Sequence, residues 1–210
     1  MPKLDDIKNV VQKLASIEGV GEHLCFFGGS VPYMLHGIDS NREHSDIDVL
    51  VGESYMSAIR EWAQDEQNGC HYNSGLDSLN LGLNDDYGFK VYIDGVYVEF
   101  EPSTAQNGVF VRKSFSPNRG LAGREEIPFE NIEDIMTSVN IGGAQTFFQS
   151  VEMIKAGKEQ YRREKDLQDI AFIESQGYDT ERYARVKQAL ESKKEIIGSY
   201  AELQASTQDM

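Results

Sequence analysis

Two aspartates two residues apart have the types and spacing that could do chemistry. Asp46 and Asp48 open an apolar run that continues through residues 49–51. If this run is a β-strand, its period of two puts both carboxylates on the same face. Adjacent carboxylates repel each other unless a cation or a proton lies between them. A divalent ion with oxygen ligands, expected to be Mg²⁺, meets this requirement. The alternative is an ordinary turn and strand, in which Asp46 caps the turn or pairs with Arg42.

A glycine pair upstream has the features of a phosphate-binding turn. Residues 24–27 are apolar and are followed by Gly28 and Gly29, which predicts a buried strand ending at a tight turn. Ser30 can cap a helix that Pro32 opens. Glycines allow the backbone to approach a ligand closely, and a helix start presents unpaired N–H groups to an anion. The alternative is a strand–helix turn with no ligand.

The two features together resemble a known signature. Gly28-Gly29-Ser30, a gap that holds one helix, and then Asp46-Ile47-Asp48 are similar to the motif of the DNA polymerase β-like nucleotidyltransferase superfamily. Residues 42–45, which lead into the aspartates, resemble those of the small antibiotic (lincosamide and aminoglycoside) nucleotidyltransferases and of AbiEii-type toxins. The motif covers a minor part of the chain. The resemblance implies an α/β (α+β) fold with a small mixed sheet, flanking helices and a helical C-terminal half. It also implies transfer of a nucleoside monophosphate from a nucleoside triphosphate (NTP) to a hydroxyl acceptor, with release of pyrophosphate.

The resemblance assigns roles to individual residues. Asp46 and Asp48 would be catalytic ligands of Mg²⁺, expected as two ions, since two cations can clamp the attacking and leaving oxygens of a displacement. Glu99, in an apolar–acid–apolar strand, is the candidate for a third catalytic and metal-binding acid, with Glu101 as the second choice. The superfamily more often has aspartate at this position. Because glutamate is longer, the metal geometry would be looser or one ion absent; the alternative is a solvent-facing acid.

The remaining assigned residues would bind the nucleotide. Gly28, Gly29 and Ser30 would hold the β- and γ-phosphates, and Arg42 would bind a phosphate or pair with an acid. In the helical half, Lys165 and Asp169 are i,i+4 neighbours in a Lys-Asp-x-x-Asp stretch similar to one in the antibiotic enzymes and toxins. Lys165 would reach the triphosphate and Asp169 would orient it. The alternative is a surface ion pair of little energetic value. Weaker candidates for the lysine are Lys155 and Lys158.

The charge balance bears on the acceptor. The 210-residue chain has 20 basic and 35 acidic residues, a formal net charge of −15. Nucleic-acid partners are disfavoured because their binding depends on Lys and Arg. A small cationic acceptor or a basic protein partner fits better, although acidity that serves solubility alone is the alternative.

Compartment and assembly are less constrained by the sequence. No apolar run reaches the eighteen or so residues that a membrane span requires, and the first residues lack the apolar segment of a signal peptide. Two widely spaced cysteines favour a reduced, cytoplasmic protein. The oligomeric state stays open. Two alternative functions remain: a toxin-type nucleotidyltransferase acting on RNA or protein, and a nucleotide-binding module without catalysis.

Hydrophobic periodicity predicts the elements that position these residues. Helices are expected over residues 3–17, 32–36 and 54–65, and strands over 24–27, 47–51 and 109–111. Asp94-Gly95 predicts a hairpin turn between strands 89–93 and 96–100. Residues 116–126 are predicted to be a polar loop and 127–129 an edge strand. From residue 131 onward the pattern predicts helices, broken at Gly142-Gly143. We therefore predict a catalytic domain over residues 1–130 and a helical domain over 131–210.

Overall fold

The computed structural model describes residues 2–40, 44 and 46–205. Within these residues the chain forms one mixed sheet of ten strands and eight α-helices. The strands are β1 Leu24–Phe27, β2 Asp46–Gly52, β3 Cys70–Asp77, β4 Phe89–Ile93, β5 Val96–Gln106, β6 Val109–Ser116, β7 Leu121–Pro128, β8 Met136–Ile141, β9 Ala144–Gln149 and β10 Lys194–Ser199. The helices are α1 Leu4–Ala15, α2 Val31–His36, α3 Met56–Gln64, α4 Ile132–Ile135, α5 Val151–Tyr161, α6 Glu164–Gln176, α7 Thr180–Glu191 and α8 Tyr200–Ala205. This arrangement confirms the predicted fold class.

The centre of the sheet carries the motif strands. The strand order is β10-β7-β6-β5-β2-β1-β9-β8, and β4 joins β3 to β5. Strand β2 runs antiparallel to β1 and parallel to β5, while β1 runs parallel to β9. Because all four residues of β1 are buried, this strand lies inside the protein with both faces covered.

The two faces of the sheet build two separate clusters of apolar side chains. On one face, Phe26 and Val49 pack with α1 and α3 in the larger core. On the other face, Phe27 and Leu50 pack with Met153 of α5 and with side chains of α7. Asp46 and Asp48 alternate with the first set along β2, so their carboxylates lie on the second face, toward α5.

The predicted helix across residues 136–149 is wrong. These residues form the hairpin β8–β9, and Gly142 and Gly143 make its turn with φ angles of +59° and +92°. Phe148 lies in β9, opposite Phe26 of β1, with the two rings edge to face at 5.7 Å. A short apolar run fits a helix and a strand equally well, and pairing with β1 decides the outcome here. What looked like a helix break is a hairpin turn.

Two further sequence predictions are also wrong. Most of residues 116–126, predicted as a loop, belongs to the paired strands β6 and β7, with a short turn between them. Ile197, in the region predicted to be helical from residue 131 onward, lies in β10, which pairs with β7. Both segments are rich in polar residues because their strands are partly exposed, and this hides the strand pattern. Helices α5, α6 and α7 are present, and the domain boundary near residue 130 stays a prediction.

The N-terminal predictions hold closely. Helix α1 buries its apolar stripe, and the β4–β5 hairpin turns at Asp94 and Gly95, both with positive φ. In the part of the chain that the structure describes, none of the helices has the length and apolar character to cross a membrane.

Candidate active site

Three carboxylates converge on neighbouring strands. Asp46 and Asp48 lie on β2, and Glu99 on β5 is the register partner of Asp48. Each of the three offers one oxygen, and these oxygens lie within 4.8 Å of one another. All three side chains are partly buried. The parallel pairing of β2 with β5 therefore assembles the acidic group from residues about fifty positions apart in the chain.

The glycine turn meets the same acidic group. Phe27 at the end of β1 is the register partner of Asp48, so the next residue, Gly28, lies beside the aspartate. Gly28 has φ +92°, and a Cβ built on it would lie 2.6 Å from Oδ2 of Asp48. A side chain at this position would collide with the carboxylate. The two halves of the motif are thus in contact, as their order in the sequence predicts.

The negative charges at the site favour binding of a cation. Burial raises the pKa of Asp48 well above its usual value, and the charges of Asp46, Glu101 and Glu99 raise it further. Burial likewise raises the pKa of Glu101 to about 7, against the lowering effect of Arg112. Oε2 of Glu101 is buried with no hydrogen-bond partner among the described residues, and Nη1 of Arg112 lies 3.9 Å from it.

The donor set fits a hard divalent ion. It consists of carboxylate oxygens only, the ligands that Mg²⁺ prefers. A bound divalent ion would also relieve the repulsion that disfavours ionisation of Asp48. Asp46, Asp48 and Glu99 are therefore the residues that would hold such an ion.

A cleft of about 460 Å³ opens over the aspartates. Its walls include the glycine turn and Ser30 on one side and the residues around the α5–α6 junction on the other. Glu99 lies on the adjoining strand, outside the residues that line the cleft. The cations in the walls are Arg112, Lys158, Arg163, Lys165 and Lys193. The cleft thus combines an acidic floor with cations and backbone N–H groups suited to an anion.

Ser30 occupies the position that the sequence predicts. It is 2% exposed and directly precedes α2, whose first turn contains Pro32. Ser30 lines the cleft next to Gly29. The strand, the glycine pair and the helix start therefore follow one another as predicted, but the Ser30 side chain makes no capping hydrogen bond among the described residues. Phosphate binding by this turn stays a prediction.

The predicted partnership of Lys165 with Asp169 is replaced by a different one. Asp169 is completely buried, accepts a hydrogen bond from Tyr33 Oη at 3.1 Å and pairs with Nζ of Lys158 at 2.7 Å. Lys158 also lies 3.3 Å from Asp166. Lys165 is exposed, lines the cleft, and forms no ion pair within the described part of the chain. Asp169 thus orients Lys158 across the α5–α6 turn, because both side chains point inward while Lys165 faces solvent.

Other predicted positions have different outcomes. Arg42 lies outside the described residues. His44, which precedes the aspartates, is buried, with its ring edge to face against Tyr33 at 5.5 Å. Lys155 is buried among Glu159, Glu174 and two tyrosine rings, and is not one of the residues that line the cleft.

Two groups near the site were missed from the sequence. Arg112 of β6 contacts Glu125 of β7 with Nε–Oε2 at 2.5 Å, and Lys193 lies 3.1 Å from Glu125. This group was hidden because residues 116–126 were predicted as a loop. Lys90 pairs with Glu99, and a signal for it existed: a two-residue turn at Asp94-Gly95 makes the two residues register partners.

Comparisons with known proteins bear on the fold. Neither a protein-family model nor a curated protein matches this chain. The solution structure of the antibiotic-resistance factor ANT(2'')-Ia aligns over 98% of this chain and 99% of its own, with 17% identity and a TM-score of 0.57. This likeness places the chain in the nucleotidyltransferase fold and confirms, for the fold, the resemblance drawn from the motif.

Two further solved structures are less similar. Lincomycin-bound LnuA, a lincosamide antibiotic adenylyltransferase, aligns over 72% of this chain and 85% of its own with a TM-score of 0.47. An antigenic nucleotidyltransferase-like protein from Paracoccidioides brasiliensis aligns over 99% and 91% with a TM-score of 0.49. Both are 17% identical to this chain.

Proposed function

We propose that this protein transfers a nucleoside monophosphate from an NTP to a hydroxyl of a small-molecule acceptor, with Mg²⁺ and release of pyrophosphate. One observation carries the proposal: three carboxylates from two strands lie within 4.8 Å of one another, directly beside a glycine turn at a helix start. Acidic groups of this kind occur on surfaces without a metal, but contact with a phosphate-binding turn is what nucleotidyl transfer requires.

Two sets of residues would bind the metal and the phosphates. Asp46, Asp48 and Glu99 would hold the divalent metal, which would stabilise negative charge on the reacting phosphate when bound. Backbone N–H groups of Gly28 and Gly29 and the hydroxyl of Ser30 would hold the β- and γ-phosphates.

The cations of the α5–α6 junction would bind the same phosphates from the opposite wall. Lys165 is free to extend into the cleft, and Lys158 is fixed there by Asp166 and Asp169. Asp169 would therefore act on the nucleotide through Lys158. Arg42 remains a proposed phosphate ligand on sequence grounds alone.

The reaction is a displacement at the α-phosphorus. The acceptor hydroxyl oxygen forms the new bond to phosphorus, the bond to the bridging oxygen breaks, and pyrophosphate leaves. The hydroxyl proton passes to a carboxylate, for which we propose Glu99, since it adjoins Asp48. Positioning of the two reactants in one cleft supplies much of the acceleration.

A small acceptor is supported by several features. The cleft has about the volume of a drug-sized site, and ANT(2'')-Ia, which shares the fold, is an antibiotic-resistance factor. The net charge of −15 favours a cationic acceptor over nucleic acid. Two free cysteines fit a reducing compartment, so we propose the cytoplasm as the location.

Label transfer from the nucleotide tests the proposal. Wild type, Asp48→Asn and Asp5→Asn are incubated with α-labelled NTPs, Mg²⁺ and a panel of hydroxyl-bearing antibiotics. Asp5 is an exposed carboxylate on α1 and serves as the matched control. We expect Mg²⁺-dependent transfer that falls by at least about a hundredfold in Asp48→Asn alone. Equal transfer by wild type and Asp48→Asn would contradict the proposal.

A further inference from the structure

A lysine lies inside the acidic site. Lys90 is in the middle of β4, is 8% exposed, and is the register partner of Glu99. Its Nζ lies 2.5 Å from Oε2 of Glu99. The same ammonium group lies 5.3 Å from the centre of the Phe115 ring, and β4 is paired with β3 and β5. The ammonium group therefore lies between the Glu99 carboxylate and an aromatic ring.

The cations next to the site are paired with acids other than the two aspartates. Arg112 and Lys193 pair with Glu125, and Lys90 pairs with Glu99. Within the part of the chain that the structure describes, Asp46 and Asp48 form no ion pair. These two carboxylates therefore carry the uncompensated negative charge that one divalent ion would neutralise.

We propose that Lys90 replaces one of the two divalent ions of the two-metal scheme. Its ammonium group contacts Oε2 of Glu99, so that the nucleotide-free protein takes one divalent ion, held by Asp46, Asp48 and the other carboxylate oxygen of Glu99. Lys90 is a positioning residue, because it acts through Glu99. This inference rests on the proposed function, and it narrows the metal requirement of the same site.

The physical reason is repulsion between cations. A second ion bound to Glu99 would lie close to the Nζ that already contacts this carboxylate. At the effective dielectric of a protein, charges separated by about 4 Å change a binding constant by well over tenfold. Because Lys90 is 8% exposed and its Nζ contacts Glu99, its charge lies next to this carboxylate.

Counting bound Mn²⁺ tests this inference without relying on activity. Free Mn²⁺ is measured by electron paramagnetic resonance during titration of the nucleotide-free protein. Wild type is expected to bind one ion, and Lys90→Met is expected to bind two. The affinity for a second ion should be at least about tenfold higher in Lys90→Met than in wild type. Lys90→Arg keeps the cation and is expected to behave as wild type.

A matched control separates the site effect from loss of a buried ion pair. Lys113 on β6 has a side chain that is 11% exposed, the same value as for Lys90, and pairs with Glu53. Lys113→Met should leave the number of bound Mn²⁺ ions unchanged.

The outcomes distinguish this inference from the proposed function. Two ions of similar affinity on the wild type would overturn the role of Lys90, whether or not Lys90→Met folds, and would leave nucleotidyl transfer intact. If neither wild type nor Asp48→Asn binds Mn²⁺, and neither binds a non-hydrolysable NTP, both the role of Lys90 and the proposed nucleotidyl transfer are overturned. One ion on the wild type and on Lys90→Met would also overturn the role of Lys90.

Discussion

Gly28 and Asp48 are in such close contact that a Cβ on the glycine would lie 2.6 Å from Oδ2 of the aspartate. The glycine also has φ +92°, which L side chains rarely adopt. The backbone of the glycine turn and the carboxylate of Asp48 therefore fix each other's positions.

Gly28→Ala is expected to abolish metal binding as well as to strain the backbone. The strain alone should lower the free energy of unfolding by about 1–3 kcal/mol, and displacement of Asp48 should remove Mn²⁺ binding and label transfer. Gly95→Ala provides the control, because Gly95 has φ +84° and a Cβ added there would meet no atom within 4 Å. If both variants lose the same stability and both retain Mn²⁺, contact with Asp48 has no functional role.

Asp48→Asn is expected to stabilise the metal-free protein. Without a cation, Asp48 is partly buried beside Asp46, Glu99 and Glu101, and burial and these charges raise its pKa. The neutral amide should raise the free energy of unfolding by about 1–2 kcal/mol in EDTA. Denaturant unfolding, first with EDTA and then with Mn²⁺, measures the free energy of unfolding of both proteins. Wild type should gain stability from Mn²⁺ and the variant should not; a less stable variant in EDTA would count against a repulsive site.

Substitutions of Lys158 and of Lys165 are expected to have different effects on the free energy of unfolding and on nucleotide affinity. Lys158→Met leaves Asp169 buried without this cation, so it should lower the free energy of unfolding by about 3 kcal/mol. Lys165→Ala removes an exposed side chain, so its stability should stay within about 0.5 kcal/mol of wild type. Its NTP affinity should fall about tenfold, by loss of one charge-assisted contact.

Calorimetric titration with an NTP analogue measures the nucleotide affinity of both variants. Lys194→Ala is the control for Lys165→Ala, because Lys194 is exposed on β10 and does not line the cleft. Equal affinities for Lys165→Ala and Lys194→Ala would show that Lys165 does not contact the phosphates.

Asp166 is expected to make stability depend on pH in the acid range. Burial would raise its pKa, but hydrogen bonds from Arg163 and the charge of Lys158 prevail and hold the pKa at about 2, below the ordinary 3.8. A depressed carboxylate pKa stabilises the fold above pH 3.8, and this contribution is lost as the pH falls toward 2. Asp166→Asn should therefore cost about 2 kcal/mol at pH 7, with the difference from wild type narrowing between pH 4 and pH 2. Urea unfolding at several pH values measures the difference, and a gap independent of pH would contradict this account.

The sequence predicts the part of the site that depends on local pattern. Gly28, Ser30, Asp46 and Asp48 lie where strand period and turn chemistry place them, because each belongs to a short segment with one dominant signal. Glu99 also meets the aspartates, since the Asp94-Gly95 turn and the alternation of β5 define its face. The roles of these residues stay predictions until they are tested.

The rest depends on contacts between distant segments, which local patterns do not record. Phe148 fits a helical stripe until β1 is available as its neighbour. Asp169 is four residues from Lys165, but burial beneath Tyr33 turns it toward Lys158 instead. Glu125 reaches Arg112 because β6 and β7 pair, and the polar composition of β7 concealed that pairing.

Strand β9, which supplies the second neighbour of β1, has consequences for how the protein matures. Cys25 and Phe26 pair with Phe147 and Phe148, more than one hundred and twenty positions later. During synthesis on the ribosome, the strand that carries the glycine turn therefore keeps an open edge until most of the chain has emerged. Such delayed long-range closure slows folding and exposes an apolar strand to association with other chains. Fragments ending near residue 130 should consequently aggregate, and chaperones that shield nascent chains should improve the yield of active protein.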